Sequence, residues 1–244
     1  MLREFETLKK YRIHASDGEI GHVKDIYFED KGWPVRYVVV DTGRWLPGRS
    51  VLLVPSTIQG FDDANKDLLT QLSKDQVKNS PDIDTDKPVS RQHEERLHSY
   101  YGWPFYWGAG ILPTTEVPGM HAEEMVTRSG MRAGAGPLAD DDEVMNSALA
   151  GNQHLRSASE VLSYRLSAVD GPVGDIKDIL IEEDNTGWKV RFFKVKTDEA
   201  LGRREILVDV GTITQLSWVD SVARSAIDLE TVRRSPLVHT AHHA

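Results

Sequence analysis

The chain contains no cysteine among its 244 residues. Disulfide bonds, thiolate zinc sites, iron–sulfur clusters and cysteine nucleophiles are therefore excluded. Long apolar runs are also missing, since stretches such as residues 37–40 fall far short of the roughly 20 residues that a spanning helix needs. The first residues carry acids and lack the apolar segment of a signal peptide. The sequence therefore predicts a cytoplasmic protein that does not insert into a membrane.

An excess of basic residues is lacking as well. The formal net charge is −9, and the acidity lies in the middle of the chain. Residues 1–81 hold 12 basic and 12 acidic side chains, residues 82–152 hold 5 and 12, and residues 153–244 hold 12 and 14. Surfaces that bind phosphate backbones need a basic excess. We therefore do not expect a nucleic-acid partner.

Two segments of the chain repeat each other. The letters DGEIGHVKDI at 17–26 recur as DGPVGDIKDI at 170–179, and GWPVRY at 32–37 recurs as GWKVRF at 187–192. Across residues 17–42, 13 of 26 positions are identical in the second segment. A repeat of this kind indicates a duplicated module. The sequence predicts a first copy over 1–81, a second over 153–244, and between them, over 82–152, a helix, an aromatic segment and an acidic linker.

Each copy carries the signals of short strands. Residues 23–29 and 35–40 of the first copy are rich in β-branched and aromatic residues, with a hairpin turn at 29–32 between them. Residues 51–54 form a further strand pattern that Pro55 ends. Ser73 is placed to cap a helical turn before Pro81. The fold class predicted is mainly β, as two small barrels with short helices and a long, partly flexible linker.

These motifs, together with the letters VVVDT at 38–42 and WLPGR at 45–49, resemble the PRC-barrel domain. The first copy is the closer match, because Lys196 and Asp209 in the second copy stand where the first has Asp41 and Pro55. The resemblance implies a β-barrel related to the cytoplasmic domain of the photosynthetic reaction-centre H subunit and to the C-terminal barrel of a ribosome maturation factor. It implies binding to other proteins, and it supplies no catalytic residues. We expect no enzyme activity, cofactor or metal.

Ten repeated positions are predicted to serve the structure of the two copies. The glycines fit turns better than a phosphate-binding loop, because no helix follows them at the required spacing. The tryptophans are expected to close barrel ends, and each aspartate to pair with the arginine across its hairpin. These positions are Gly18, Gly21, Asp25, Trp33, Arg36, Gly171, Gly174, Asp178, Trp188 and Arg191.

The candidate interaction surface is an aromatic segment in the middle of the chain. It holds 6 of the 19 aromatic residues within eight positions. Soluble proteins rarely leave such a cluster open to water. Three interpretations remain: contact with the barrels, contact with another chain in a homodimer or with a foreign partner, or stacking on nucleic acid, which the acidic surroundings disfavour. The residues are Tyr100, Tyr101, Trp103, Phe105, Tyr106 and Trp107.

The predicted function is a non-catalytic protein-interaction or assembly module of the bacterial cytoplasm, with a protein partner that could be a second copy of the chain. One alternative is a soluble accessory of photosynthetic or electron-transfer complexes, which the resemblance to the H subunit suggests. A second alternative is a sensor of small molecules or metals. The histidines at 239, 242 and 243 could bind a metal, but at this position fraying is the usual state.

Overall fold

A computed structural model describes residues 1–80, 91–103, 155–184 and 187–236. The protein is mainly β, as predicted, with two mixed seven-stranded sheets of similar topology. Both sheets lie in one compact unit, whereas the helix of residues 91–101 belongs to a second. The predicted boundaries at residues 81 and 153 remain predictions.

The first copy contributes seven strands and two short helices. They are β1 (Leu2–Glu4), α1 (Phe5–Leu8), β2 (Arg12–Ala15), β3 (Gly18–Glu29), β4 (Val35–Asp41), β5 (Ser50–Leu53), β6 (Ile58–Asp62), β7 (Asp67–Thr70) and α2 (Lys74–Lys78). A longer helix, α3 (Arg91–Tyr101), follows. The second copy provides β8 (Leu155–Ser157), α4 (Ala158–Val161), β9 (Arg165–Ala168), β10 (Gly171–Asp184), β11 (Gly187–Thr197), β12 (Glu205–Asp209), β13 (Ile213–Ser217), β14 (Val222–Ser225) and α5 (Leu229–Arg234).

The local signals act as the sequence predicted. Strand β4 is buried at five of its seven positions, which accounts for its nearly continuous apolar run. Ser73 caps α2 in a complete capping box: its hydroxyl accepts from the Gln76 amide, and the Gln76 side chain accepts from the Ser73 amide. Asp228 caps α5 at the matching place of the second copy, by accepting from the amide of Thr231 at 2.7 Å.

The strand orders of the two sheets match. One runs β5-β4-β3-β2-β7-β6 and the other β12-β11-β10-β9-β14-β13. In each sheet the long hairpin is antiparallel, while one pair, β2 with β7 or β9 with β14, is parallel. The apolar side chains of these strands form the core, including the fully buried Ile26, Val38, Ile179 and Phe193.

Each sheet receives its seventh strand from the other copy. Strand β1 pairs with β10, so that Arg3 lies opposite Ile181, and β8 pairs with β3, so that Arg156 lies opposite Phe28. The exchange is reciprocal because β1 and β8 are repeat counterparts, as are β3 and β10. The two copies are therefore joined by two pairs of exchanged strands, which the sequence did not predict.

Candidate functional site

The exchange places a buried aspartate of each copy at the start of a helix from the other copy. Asp25 on β3 accepts from the amide of Ser159 in α4 at 3.0 Å. Asp178 on β10 accepts from the amide of Glu6 in α1 at 3.1 Å. The first amides of a helix have no partner within the helix, so a carboxylate satisfies them and favours the helix dipole. The repeated aspartate thus holds the incoming segment of the other copy.

Asp25 lies among neutral donors. Its carboxylate accepts from the Ser157 hydroxyl at 2.5 Å and from its neighbouring amide at Ile26 at 2.8 Å, besides Ser159. Burial raises the pKa of Asp25, whereas these hydrogen bonds act in the opposite direction. The carboxyl group is fully partnered although only 9% of the residue is exposed.

Asp178 has a more charged environment than its counterpart. From the described part of the chain it accepts two hydrogen bonds, which come from the amides of Glu6 and Ile179. The pKa of Asp178 is raised to about 6, chiefly by burial and also by the nearby Glu4 carboxylate, while the two amides and Lys194 act against the rise. A carboxyl group of this kind titrates under mildly acidic conditions.

Lys194 crosses the boundary between the copies. Its ammonium group donates to Glu4 of β1 at 2.8 Å and lies 3.8 Å from Glu205 of β12. Burial alone would lower the pKa of Lys194, but the bond to Glu4 and the charges of Glu4, Glu205 and Asp178 raise it. The lysine therefore stays charged at neutral pH.

The predicted pairing of each repeated aspartate with an arginine is wrong. The sheet register sets Asp25 opposite Val39 and Asp178 opposite Lys194, in each case three positions along the strand from the arginine. Arg36 instead pairs with Glu29 at 2.8 Å. Arg191 pairs with Glu182 at 3.1 Å. The arginines thus stabilise their own hairpins, while the aspartates bind the other copy.

The repeated tryptophans are buried and contact aromatic rings of the other copy. The Trp33 ring meets Phe193 edge-on, with centroids 5.7 Å apart, and the Trp188 ring stacks on Phe61 at 5.3 Å. The carbonyl of Trp33 also accepts from the amide of Val190 at 2.9 Å. These contacts add a hydrophobic centre to the junction between the copies.

Two of the repeated glycines allow paired strands to approach each other closely. A Cβ atom at Gly21 would lie 2.0 Å from the carbonyl oxygen of Asp41, and one at Gly174 would lie 2.0 Å from that of Lys196. Both glycines also have positive φ angles, of 141° and 155°. Gly18 and Gly171 lie in the turns before them, near Lys74 and Leu229. The close approach of two paired strands explains the repeated motif without a phosphate ligand.

The aromatic segment is described in part. Tyr101 stacks on Trp103 with centroids 4.2 Å apart, and the Trp103 ring lies edge-on to His98 at 5.7 Å. Tyr100 is 42% exposed. Helix α3 ends at Tyr101, and Gly102 follows it with a φ of 68°. Phe105, Tyr106 and Trp107, the acidic linker and the terminal histidines lie outside the described residues.

An open cleft lies at one end of the β10–β11 hairpin. It is lined by three basic side chains, Lys177, Lys196 and Arg203, and by three acids and a threonine. The acids are neutralised by neighbours: Asp175 by Lys177 at 3.1 Å, Glu199 by Arg203 at 3.2 Å, and Asp198 by Arg165 at 2.5 Å. The lining itself holds equal numbers of basic and acidic side chains, so nothing in it marks a site for a ligand of one charge.

Two further features limit what the described residues can do. Among them, no three His, Asp or Glu side chains converge as a metal site would require. No helix in those same ranges has both the length and the apolar character to cross a membrane.

Comparison with known families now agrees with the geometry. The family model described as the PRC-barrel domain matches residues 6–77. Residues 6–77 form a PRC-barrel domain. The match covers β2 to β7, and the second sheet, within residues 155–225, has a similar topology but falls outside it. No curated protein matches the chain.

Sequence reasoning missed the groups that join the copies. These are Glu4, Phe61, Ser157, Phe193 and Lys194. One signal pointed toward them: a charged residue, Asp25 or Asp178, recurs inside an apolar strand, where it needs a partner.

Proposed function

We propose that this PRC-barrel protein is a non-catalytic protein-interaction or assembly module, and that its second copy is a PRC barrel as well. One observation carries the proposal. Each sheet binds a strand and a helix that come from another copy of the module. The module thus uses its sheet edge and its buried aspartate to recognise a protein segment.

The recognition chemistry supports a protein partner. An added strand is held by main-chain hydrogen bonds, and the aspartate holds the helix amides that follow it. Both kinds of contact recognise a polypeptide backbone, and neither forms or breaks a covalent bond. A module with this chemistry is suited to hold a segment of another polypeptide by its backbone.

The outer surface offers an apolar place for a further chain. Trp218 and Val219, in the turn between β13 and β14, are 66% and 73% exposed. At the matching position the first copy has Asp63, which Arg3 binds at 2.5 Å and to which Tyr11 donates. Exposed tryptophans are frequent centres of protein interfaces. We therefore place the contact with a second copy of the chain, or with another protein, at this turn.

Light scattering over a range of protein concentrations tests this placement. The full chain is expected to self-associate, and Trp218→Ser to weaken the association at least tenfold. Val169→Ser is a matched control, because Val169 is 69% exposed in a different turn. If the chain stays monomeric, a photoreactive residue at position 218 should cross-link to another protein in the native host. A monomer that forms no cross-link contradicts the proposal.

The other functions predicted from the sequence stay predictions. They are an accessory role in photosynthetic or electron-transfer complexes and a sensor role for small molecules or metals.

A further inference from the structure

Four charged side chains meet where the N-terminal segment, β1 and α1, docks on the second copy. Asp178 lies on β10, Lys194 on β11, Glu205 on β12 and Glu4 on the docked strand β1. Lys194 joins Glu4 at 2.8 Å and Glu205 at 3.8 Å, and its side chain is only 10% exposed. We call these four groups the docking cluster. It contains three acids and one base, so one positive charge faces three negative ones.

In the first copy, the positions that match Glu4 and Lys194 carry uncharged side chains. Where the docking cluster has Glu4, the repeat counterpart is Ser157, whose hydroxyl donates to Asp25 at 2.5 Å. Where the docking cluster has Lys194, the counterpart is the fully buried Val39. The reciprocal dockings therefore share their backbone pattern and differ in their electrostatics.

We infer that the docking cluster makes the attachment of the N-terminal segment proton-sensitive, tighter in mild acid and weaker at neutral pH. The segment removes Asp178 from water and brings the Glu4 carboxylate toward it. Both effects disfavour an ionised Asp178 in the docked state. Lys194 offsets these two effects only in part, because its ammonium group also pairs with Glu4 and Glu205.

The direction follows from linkage between protonation and docking. In the docked state the pKa of Asp178 is raised to about 6, chiefly by burial. We expect undocking to return the carboxyl group to water and its pKa toward the ordinary value. Between the two values the docked state binds more protons, so docking weakens as the pH rises through this window. One pKa unit corresponds to a tenfold change, so the expected weakening is about 10- to 100-fold. Above this window the effect is constant.

Hydrogen exchange of the full chain tests the inference. The protection factors of the amides in residues 2–9, corrected for the intrinsic exchange rate, are measured at pH 4.5 and pH 7.5. We expect them to fall about 10- to 100-fold relative to the amides of β4, which report opening of the whole molecule. Asp178→Asn should abolish this fall, because its oxygen still accepts from Glu6 and Ile179 while the charge is gone.

Two more variants keep the test decisive if Asp178→Asn does not fold. Glu4→Ser copies the first-copy arrangement and should reduce the pH response, because a hydroxyl replaces the nearby carboxylate. Asp175→Asn changes an exposed acid of the same strand and should leave the response as in the unmodified chain. Equal protection at both pH values in the unmodified chain overturns the inference. An undiminished response in Asp178→Asn, or in Glu4→Ser, overturns it too.

Discussion

At the scale of single residues, the repeated glycines show how a motif can be set by one short distance. Gly21 passes so close to the carbonyl of Asp41 that no other side chain fits without moving a strand. The same close approach recurs at Gly174 and Lys196. The glycines of the motif are thus explained in both copies by the close approach of two strands, without a ligand.

We predict that Gly21→Ala destabilises the protein by at least about 3 kcal/mol, because the methyl group forces backbone apart and the residue keeps a positive φ. Urea unfolding followed by tryptophan fluorescence measures the change. Gly60→Ala is the control, because a Cβ at Gly60 meets nothing within 4 Å. A loss of less than about 1 kcal/mol of unfolding free energy for Gly21→Ala contradicts this close approach of the two strands.

Asp178 gives a second prediction, on the pH dependence of stability. Because its pKa is raised in the folded protein, to about 6, the folded state binds more protons than the unfolded state between that value and the ordinary pKa. Its contribution to stability is present at low pH and is lost as the pH rises through this window. At pH 8, Asp178→Asn should therefore raise the free energy of unfolding by roughly 1–2 kcal/mol, after allowance for screening.

The advantage of Asp178→Asn should largely disappear near pH 4, where the unmodified carboxyl group is protonated in the folded state and nearly half protonated in the unfolded state. Unfolding curves at pH 4 and pH 8 provide the measurement. An asparagine variant that is less stable at pH 8 would show that the charge of Asp178 is needed at the junction.

At the scale of elements, sequence reasoning succeeded where a signal is local. The strand patterns at 23–29 and 35–40 and the Ser73 cap depend on neighbouring residues, and each is found in place. Strands β1 and β8 have only three residues each, which is too short for a periodic pattern. Their partners are more than 120 residues away in the chain, so no local rule could find the exchange.

The two serine caps give a prediction for elements. Ser73 accepts from the amide of Gln76 on an exposed helix, and its loss in Ser73→Ala should cost about 1 kcal/mol. Ser157 accepts from the amide of Glu160 and also donates to Asp25. Its replacement leaves a buried carboxylate with one donor fewer, so Ser157→Ala should cost about 1–2 kcal/mol more than Ser73→Ala.

Urea unfolding of both alanine variants under the same buffer gives this difference. Equal costs for the two variants would mean that the hydroxyl of Ser157 adds nothing to the docking of α4 on the first copy.

At the scale of the whole molecule, the duplication could be recognised from the sequence, and the way in which the copies combine could not. The repeat shows that the two sheets are alike, but identical letters in both copies do not tell which copy a side chain contacts. Trp33 and Trp188 were expected at barrel ends, and their rings meet Phe193 and Phe61 of the other copy. The positions at which the copies differ, such as Glu4 and its counterpart Ser157, determine which groups hold each docked segment.

Reciprocal exchange predicts that the two copies stay together after the chain between them is cut. A specific protease site is inserted at residue 134, within the stretch AGAG at 133–136, and the protein is cleaved under native conditions. The two fragments should co-elute in gel filtration at micromolar concentration and unfold in one cooperative transition, because each sheet contains a strand of the other fragment. Trp188→Ala, which removes the ring that stacks on Phe61, should weaken the association of the cut fragments at least tenfold. Fragments that separate on the column without denaturant, or that unfold in two separate transitions, would show that the copies fold as independent units.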